Sequence, residues 1–180
     1  MQYIDQSEVL TGYRAGVFHK AAFQVVGFTL IVPPKSSSNM VPNFYDQVIA
    51  DGRMEKLKKA SSIPTWMLGL SSWDEECEKK GFRYTICIEA TEYTDFSPLE
   101  NEYELFTKQI GESDWLSFEM TQEKYFERFW KDNPYKMMGP LGYKFNMQDL
   151  SVGLHFDAYP PDYEPVLKPR MEFWITVENL

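Results

Sequence analysis

Twice along this chain a β-branched or aromatic run is followed by an amphipathic helical segment and then by two more apolar runs, and this recurrence limits the fold more than any single segment does. In the first unit, residues 22–32 carry Phe23, Val25, Val26, Phe28, Leu30 and Ile31, and Pro33-Pro34 with the serines after Lys35 closes the strand. A helix is expected from about 43 to 58, where Phe44, Tyr45, Val48 and Ile49 make one stripe before Gly52. Apolar runs at Thr65–Trp73 and Phe82–Ala90, separated by a charged turn over 74–81, read as antiparallel neighbours. The second unit begins with a short strand at Trp115–Glu119. Its helix starts at the N-cap Thr121, places Glu123 in the first turn, carries Tyr125, Phe126, Phe129 and Trp130, and stops at Asn133-Pro134. Strands at about Gly153–Tyr159 and Arg170–Val177 follow, around a proline-rich turn over 160–165.

Two β-α-β-β units of this length bury their faces against each other, so the expected class is α+β: one domain over 1–180, with half-modules at about 21–95 and 112–180. Residues 1–20 match neither unit and are left unplaced.

A formal net charge of −9, with no cluster of Lys and Arg, argues against direct binding of DNA or RNA. The same charge serves solubility and also concentrates cations near a pocket. The first residues carry neither a basic segment nor an apolar run of the signal-peptide kind, and no stretch reaches membrane-spanning length. Cys77 and Cys87 form no CxxC pair. These features predict a cytoplasmic location, reduced thiols and no membrane partner; they leave the oligomeric state open.

Parity along the last strand supplies the sharpest site signal. Met171, Phe173, Ile175 and Val177 point one way and Arg170, Glu172, Trp174 and Thr176 the other. The apolar set suits the helices, which leaves Glu172 and Trp174 together on the opposite face, where a groove between the half-modules is expected. A carboxylate beside an aromatic ring attracts organic cations, the ring contact contributing about 0.5–2 kcal/mol. The same parity also fits a solvated glutamate beside a tryptophan that covers a hydrophobic edge. Other aromatic residues, 16% of the chain in all, offer pocket walls or core, among them Tyr84, Trp130, Tyr103, Tyr143, Trp66, Trp73 and Trp115.

The chain carries no GxSxG, HExxH, P-loop or GxGxxG motif, which disfavours familiar hydrolases, kinases and dehydrogenases, and no cofactor is expected. His155 and Asp157 share a strand face. Two residues do not make a metal site, so they read as a hydrogen-bonded pair at the sheet surface, and no metal is predicted.

The segment Phe156-Asp157-Ala158-Tyr159-Pro160-Pro161-Asp162-Tyr163, followed by Met171-Glu172-Phe173-Trp174-Ile175-Thr176-Val177, resembles the closing motif of GyrI-like and AraC-type effector-binding domains. The resemblance extends through Trp115–Glu119 and Phe82–Glu89 and covers nearly everything after about residue 20. Thr176 stands where the family commonly has proline. The resemblance implies tandem modules related by a pseudo-twofold, a ligand groove between them, and a central acidic residue that Glu172 matches. It implies the stand-alone form, which lacks a helix-turn-helix. Three functions follow as expectations. The first is a small-molecule-binding protein for hydrophobic or cationic aromatic ligands, with Glu172 as counter-ion and Trp174, Tyr84, Trp130, Tyr103 and Tyr143 as candidate ligand-binding residues. The alternative is a hydrolase that opens the cyclopropane ring of DNA-alkylating natural products, with Glu172 as catalytic general base. The third is a protein-interaction role of the gyrase-inhibitor kind.

Overall fold

A computed structural model describes residues 1–35, 39–73, 77, 81–146, 155–162 and 170–180. The first unit forms as β3 (Phe23–Val32), α2 (Met40–Ala50), α3 (Arg53–Lys59), β4 (Met67–Ser72) and β5 (Phe82–Ala90). The helix expected over 43–58 is therefore two helices. They are separated at Gly52, whose φ of 81° is a left-handed conformation that glycine adopts without a Cβ penalty. The second unit forms as β7 (Ser113–Thr121), α5 (Gln122–Lys124), a π-helical turn (Tyr125–Phe129), α6 (Trp130–Asp132), α7 (Pro134–Met137), β9 (His155–Tyr159) and β10 (Arg170–Asn179). Thr121 caps α5 as expected, its hydroxyl accepting from the Lys124 N–H at 3.3 Å. Residues 74–76 and 78–80 of the turn over 74–81, the start of the strand expected at Gly153, and residues 163–165 of the turn over 160–165 lie outside the described residues.

The strands form one sheet in the order β1-β2-β7-β10-β9-β4-β5-β3-β6, where β1 is Gln2–Tyr3, β2 is Arg14–Lys20 and β6 is Phe106–Ile110; β8 (Tyr143–Phe145) pairs with β10. Read outward from the β9·β4 pair, the order is β9, β10, β7, β2 and the short β1 on one side and β4, β5, β3, β6 on the other. The two β-α-β-β modules are thus related by a pseudo-twofold through that central antiparallel pair. Residues 14–20, unplaced in the sequence, supply β2, which runs antiparallel to β7 over its whole length.

Chain connectivity bends this sheet. Only Ala21 and Ala22 separate β2 from β3, and only Gly111 and Glu112 separate β6 from β7, yet β2 pairs with β7 and β6 with β3, at opposite ends of the order. Laid flat, strands six places apart would sit roughly 29 Å from each other. A two-residue link spans about 10 Å at most. The sheet must therefore curl until its ends meet. Contacts across the curl agree: Phe23 of β3 meets Trp115 of β7 at 6.5 Å between centroids, and Lys20 of β2 bonds Glu89 of β5 at 2.9 Å.

The concave side fills with Phe23, Val25, Leu68, Leu70, Cys87, Ile110, Trp115, Phe156, Ala158 and Trp174, a dry core in which Phe156 touches Phe23, Trp115 and Trp174. The opposite face carries the larger core, where Phe118, Phe173, Ile175, Ile86 and Phe28 pack beneath the helices with Phe129, Phe44 and Leu57. Cys77 and Cys87 are both buried, and no disulfide joins them. Among the described residues no helix is long and apolar enough to cross a membrane. Phe156 lies at the middle of the concave core and is fully buried. Phe156→Ala should cost about 3–5 kcal/mol in urea unfolding; a loss below about 1 kcal/mol would contradict a closed, close-packed concave face.

Candidate functional site

On the helix side, a cavity of about 620 Å³ opens over the seam where the modules meet. Its floor is made by alternate residues of the two central strands and their neighbour: Ser71 of β4, Tyr84 of β5, and His155, Asp157 and Tyr159 of β9. Its walls come from α2, through Val41, Pro42, Tyr45 and Asp46, and from the segment opposite, through Gln122, Tyr125, Phe126 and Trp130. The alternation in His155-Phe156-Asp157-Ala158-Tyr159 explains the floor: Phe156 and Ala158 turn into the concave core, so the three polar residues turn toward the helices. Beyond a ridge of Tyr45, Asp46, Gln122 and Tyr159 the hollow continues into a second space of about 440 Å³ between α2, α3 and Pro160.

Asp157 stands at the centre of the seam. Its partner across the β4·β9 pair is Gly69, which the pseudo-twofold makes its counterpart, so a single carboxylate occupies the axis. Gly69 is required there: a Cβ would overlap the Tyr84 hydroxyl and lie 2.9 Å from Tyr84 Cζ. In the space left free, the Tyr84 hydroxyl donates to Asp157 Oδ2 at 3.2 Å, and the Tyr125 hydroxyl donates to Oδ1 at 2.8 Å. The carboxyl is 4% exposed, and burial pushes its pKa up to about 6 against the pull of the two phenols. Burial first, and the Asp157 charge second, hold both phenols well above their ordinary 10, so they remain donors.

The π-helical turn brings the aromatic wall together. In a regular α-helix, residues five apart point about 140° from each other. A turn bonded i→i+5 returns them to one side. Tyr125 and Trp130 consequently both face the cavity, with ring centroids 6.0 Å apart, while Phe129 stays fully buried in the core. Trp130 is 42% exposed and Phe126 61%, so the cavity presents aromatic surface at its mouth. The His155 ring lies between Phe173 at 4.8 Å and Trp130 at 5.3 Å, and burial lowers its pKa to about 3, which keeps it neutral.

Of the residues the sequence nominates, the structure brings Tyr84 and Trp130 together in this cavity. Glu172 and Trp174 share a face, as parity requires, and Trp174 Nε1 donates to Glu172 Oε2 at 2.6 Å. That face, however, is the concave one. Trp174 packs there against Phe18, Trp66 and Phe156, and Glu172 also accepts from Ser117 Oγ at 2.8 Å, beside a separate hollow of about 310 Å³ that includes Trp66, Glu119 and Arg170. The curl that the two-residue links impose packs the middle of that face as core, with Glu172 at the rim of the smaller hollow. Tyr103 packs edge-on against Phe28 at 5.4 Å and accepts from Lys56 Nζ at 3.1 Å, away from the cavity. Tyr143 sits in β8, paired with Asn179. Trp115 is core, and Trp73 is exposed.

Residues 17–177 match the GyrI-like small molecule binding domain. The chain belongs to the GyrI-like family. Its fold is similar to that of SAV2435, solved bound to tetraphenylphosphonium, with a TM-score of 0.67 at 16% identity over 91% of this chain and 93% of that one. It is also similar to an integron cassette protein from the mobile metagenome of Vibrio cholerae, with a TM-score of 0.55 at 12% identity over 91% and 95%. EcmrR, seen in a DNA complex, gives a TM-score of 0.57 at 15% identity over 93% of this chain and 58% of that longer one. No curated protein sequence matches the chain. At these identities the likeness shows the fold: this GyrI-like chain shares the two-module architecture.

The two buried titrating groups of the floor act on stability in opposite senses. Asp157 keeps its proton to about pH 6 when folded and loses it near 3.8 when unfolded, so its contribution is full below pH 4 and is lost as pH rises through about 6. For His155 the unfolded chain binds the extra proton, so that contribution is full above about 6.5 and is lost as pH falls toward 3. Comparing a variant with the wild type isolates the first. Relative to wild type, Asp157→Asn should gain roughly 2.5 kcal/mol in urea unfolding between pH 4 and pH 7.5. Parallel pH profiles would contradict a buried, proton-holding Asp157.

Proposed function

We propose that this GyrI-like small-molecule-binding chain takes hydrophobic aromatic cations into the helix-side cavity, with Asp157 as the counter-ion and Tyr84, Tyr125 and Trp130 as aromatic walls. The observation that carries the reading is a carboxylate, deeply buried and held by two tyrosine hydroxyls, at the floor of a cavity whose other groups are mostly aromatic. A cation of delocalised charge gives up little hydration on entry, gains the carboxylate's attraction at low local dielectric, and meets ring faces at about 0.5–2 kcal/mol each. Hydrophobic anions meet the reverse balance. The formal charge of −9 favours the approach of cations. The tetraphenylphosphonium bound by SAV2435 is a ligand of this chemistry and supports the reading by likeness of fold.

Binding follows the ionisation of Asp157. Tyr84 and Tyr125 beside it stay protonated donors, His155 stays neutral above about pH 3, and Asp46 lines the cavity wall. Affinity for tetraphenylphosphonium, measured by calorimetry or tryptophan quenching, should therefore rise about tenfold per pH unit up to about 6 and level off above it. At pH 7.5 Asp157→Asn should weaken binding at least tenfold, and Glu172→Gln should leave it within about twofold. The reverse pattern would move the site to the concave face. The mass of the recovered ligand completes the test: an unchanged mass fits a binding protein, and a water adduct formed in turnover would make the cavity catalytic.

A further inference from the structure

His155 lies two residues from Asp157 on the same face of β9, and its side chain is more than nine-tenths buried at the cavity floor. Among the described residues its Nδ1 has no hydrogen-bond partner. Asp157 accepts from both Tyr84 and Tyr125, whereas this ring nitrogen is left over. Folded proteins leave few buried polar atoms unpaired, and such atoms call for something that completes them. The ring is walled by Phe173, which is fully buried core, and by Trp130, which is 42% exposed at the end of the π-helical turn. Burial keeps the imidazole uncharged, so it offers one N–H and one lone pair and carries no charge that would repel a cation.

We propose that His155 is the second anchor of the cavity: with the charge of an aromatic cation at Asp157, His155 Nδ1 hydrogen-bonds a hydroxyl or N–H group carried by one of that ligand's rings. The spacing is that of two residues along a strand, roughly 6.5 Å, about the reach of one substituted ring. The ligand class is therefore aromatic cations with a polar ring substituent, in preference to purely hydrocarbon ones. A hydroxyl suits either tautomer of the ring, because it donates and accepts. The inference rests on the reading of Asp157 as counter-ion.

The test uses a matched pair of probes, tetraphenylphosphonium and (4-hydroxyphenyl)triphenylphosphonium, titrated at pH 7.5 into wild type, His155→Phe and Asp157→Asn. Wild type should bind the hydroxyl probe about fivefold to tenfold more tightly, and in His155→Phe this ratio should fall to within about twofold. A wild-type ratio near one, or a ratio that survives His155→Phe, overturns the proposal. Asp157→Asn should weaken both probes by the same factor. Unchanged binding there overturns the counter-ion reading, and the hydroxyl ratio still judges His155 by itself. If His155→Phe does not fold, the imidazole ¹⁵N shifts of wild type decide: Nδ1 should move on adding the hydroxyl probe and not on adding tetraphenylphosphonium, and identical shifts with both would overturn the assignment.

Discussion

The antiparallel pair of β4 and β9 is the element on which the rest of the molecule depends. It joins the two modules, carries the pseudo-twofold axis and forms the floor of the cavity. Its register sets Asp157 opposite Gly69, so the symmetry of the backbone is broken at the axis by one carboxylate facing one missing side chain. The absent Cβ admits the Tyr84 hydroxyl from the first module, and Tyr125 arrives from the second. Each module thus contributes a phenol to one acid, and the site exists only where both are assembled.

The two faces of the sheet have different fates because of chain connectivity. Two-residue links tie β2 to β3 and β6 to β7 although their pairing partners lie at opposite ends of the sheet, and the resulting curl brings Phe23 against Trp115 and seals the concave face with aromatic rings. Among the described residues the middle of that face is core. On the convex face the helices sit apart over the seam, and the space between α2 and the π-helical segment stays open. The π-helical turn lines that opening with aromatic rings, because it rotates Trp130 toward Tyr125 and leaves Phe129 in the core.

Much of the architecture was legible in the sequence because it is written in short periods. The strand and helix order, the α+β class and the shared face of Glu172 and Trp174 all follow from alternation and helical spacing within single segments. Which face would be open was not legible, since that depends on long-range pairing of β2 with β7 and β6 with β3, and residues 14–20 and 106–110 carry no signal of where they pair. Asp157 and His155 were visible as neighbours on one strand face. The clue to their importance is that a central strand with apolar Phe156 and Ala158 on one side carries only polar residues on the other, an arrangement expensive to bury unless it faces a cavity. Nothing in residue propensity marks the π-helical turn, so the convergence of Tyr125 and Trp130 was out of reach.

The account turns on Asp157 being a buried carboxyl that ionises to meet a cation. The most direct measurement is the titration of its side-chain carbon by ¹³C NMR, with and without saturating tetraphenylphosphonium. A midpoint at about 6 in the free protein, falling by a unit or more with the cation bound, is the predicted result. A midpoint near the ordinary 3.8, or one that the cation leaves unmoved, would contradict it.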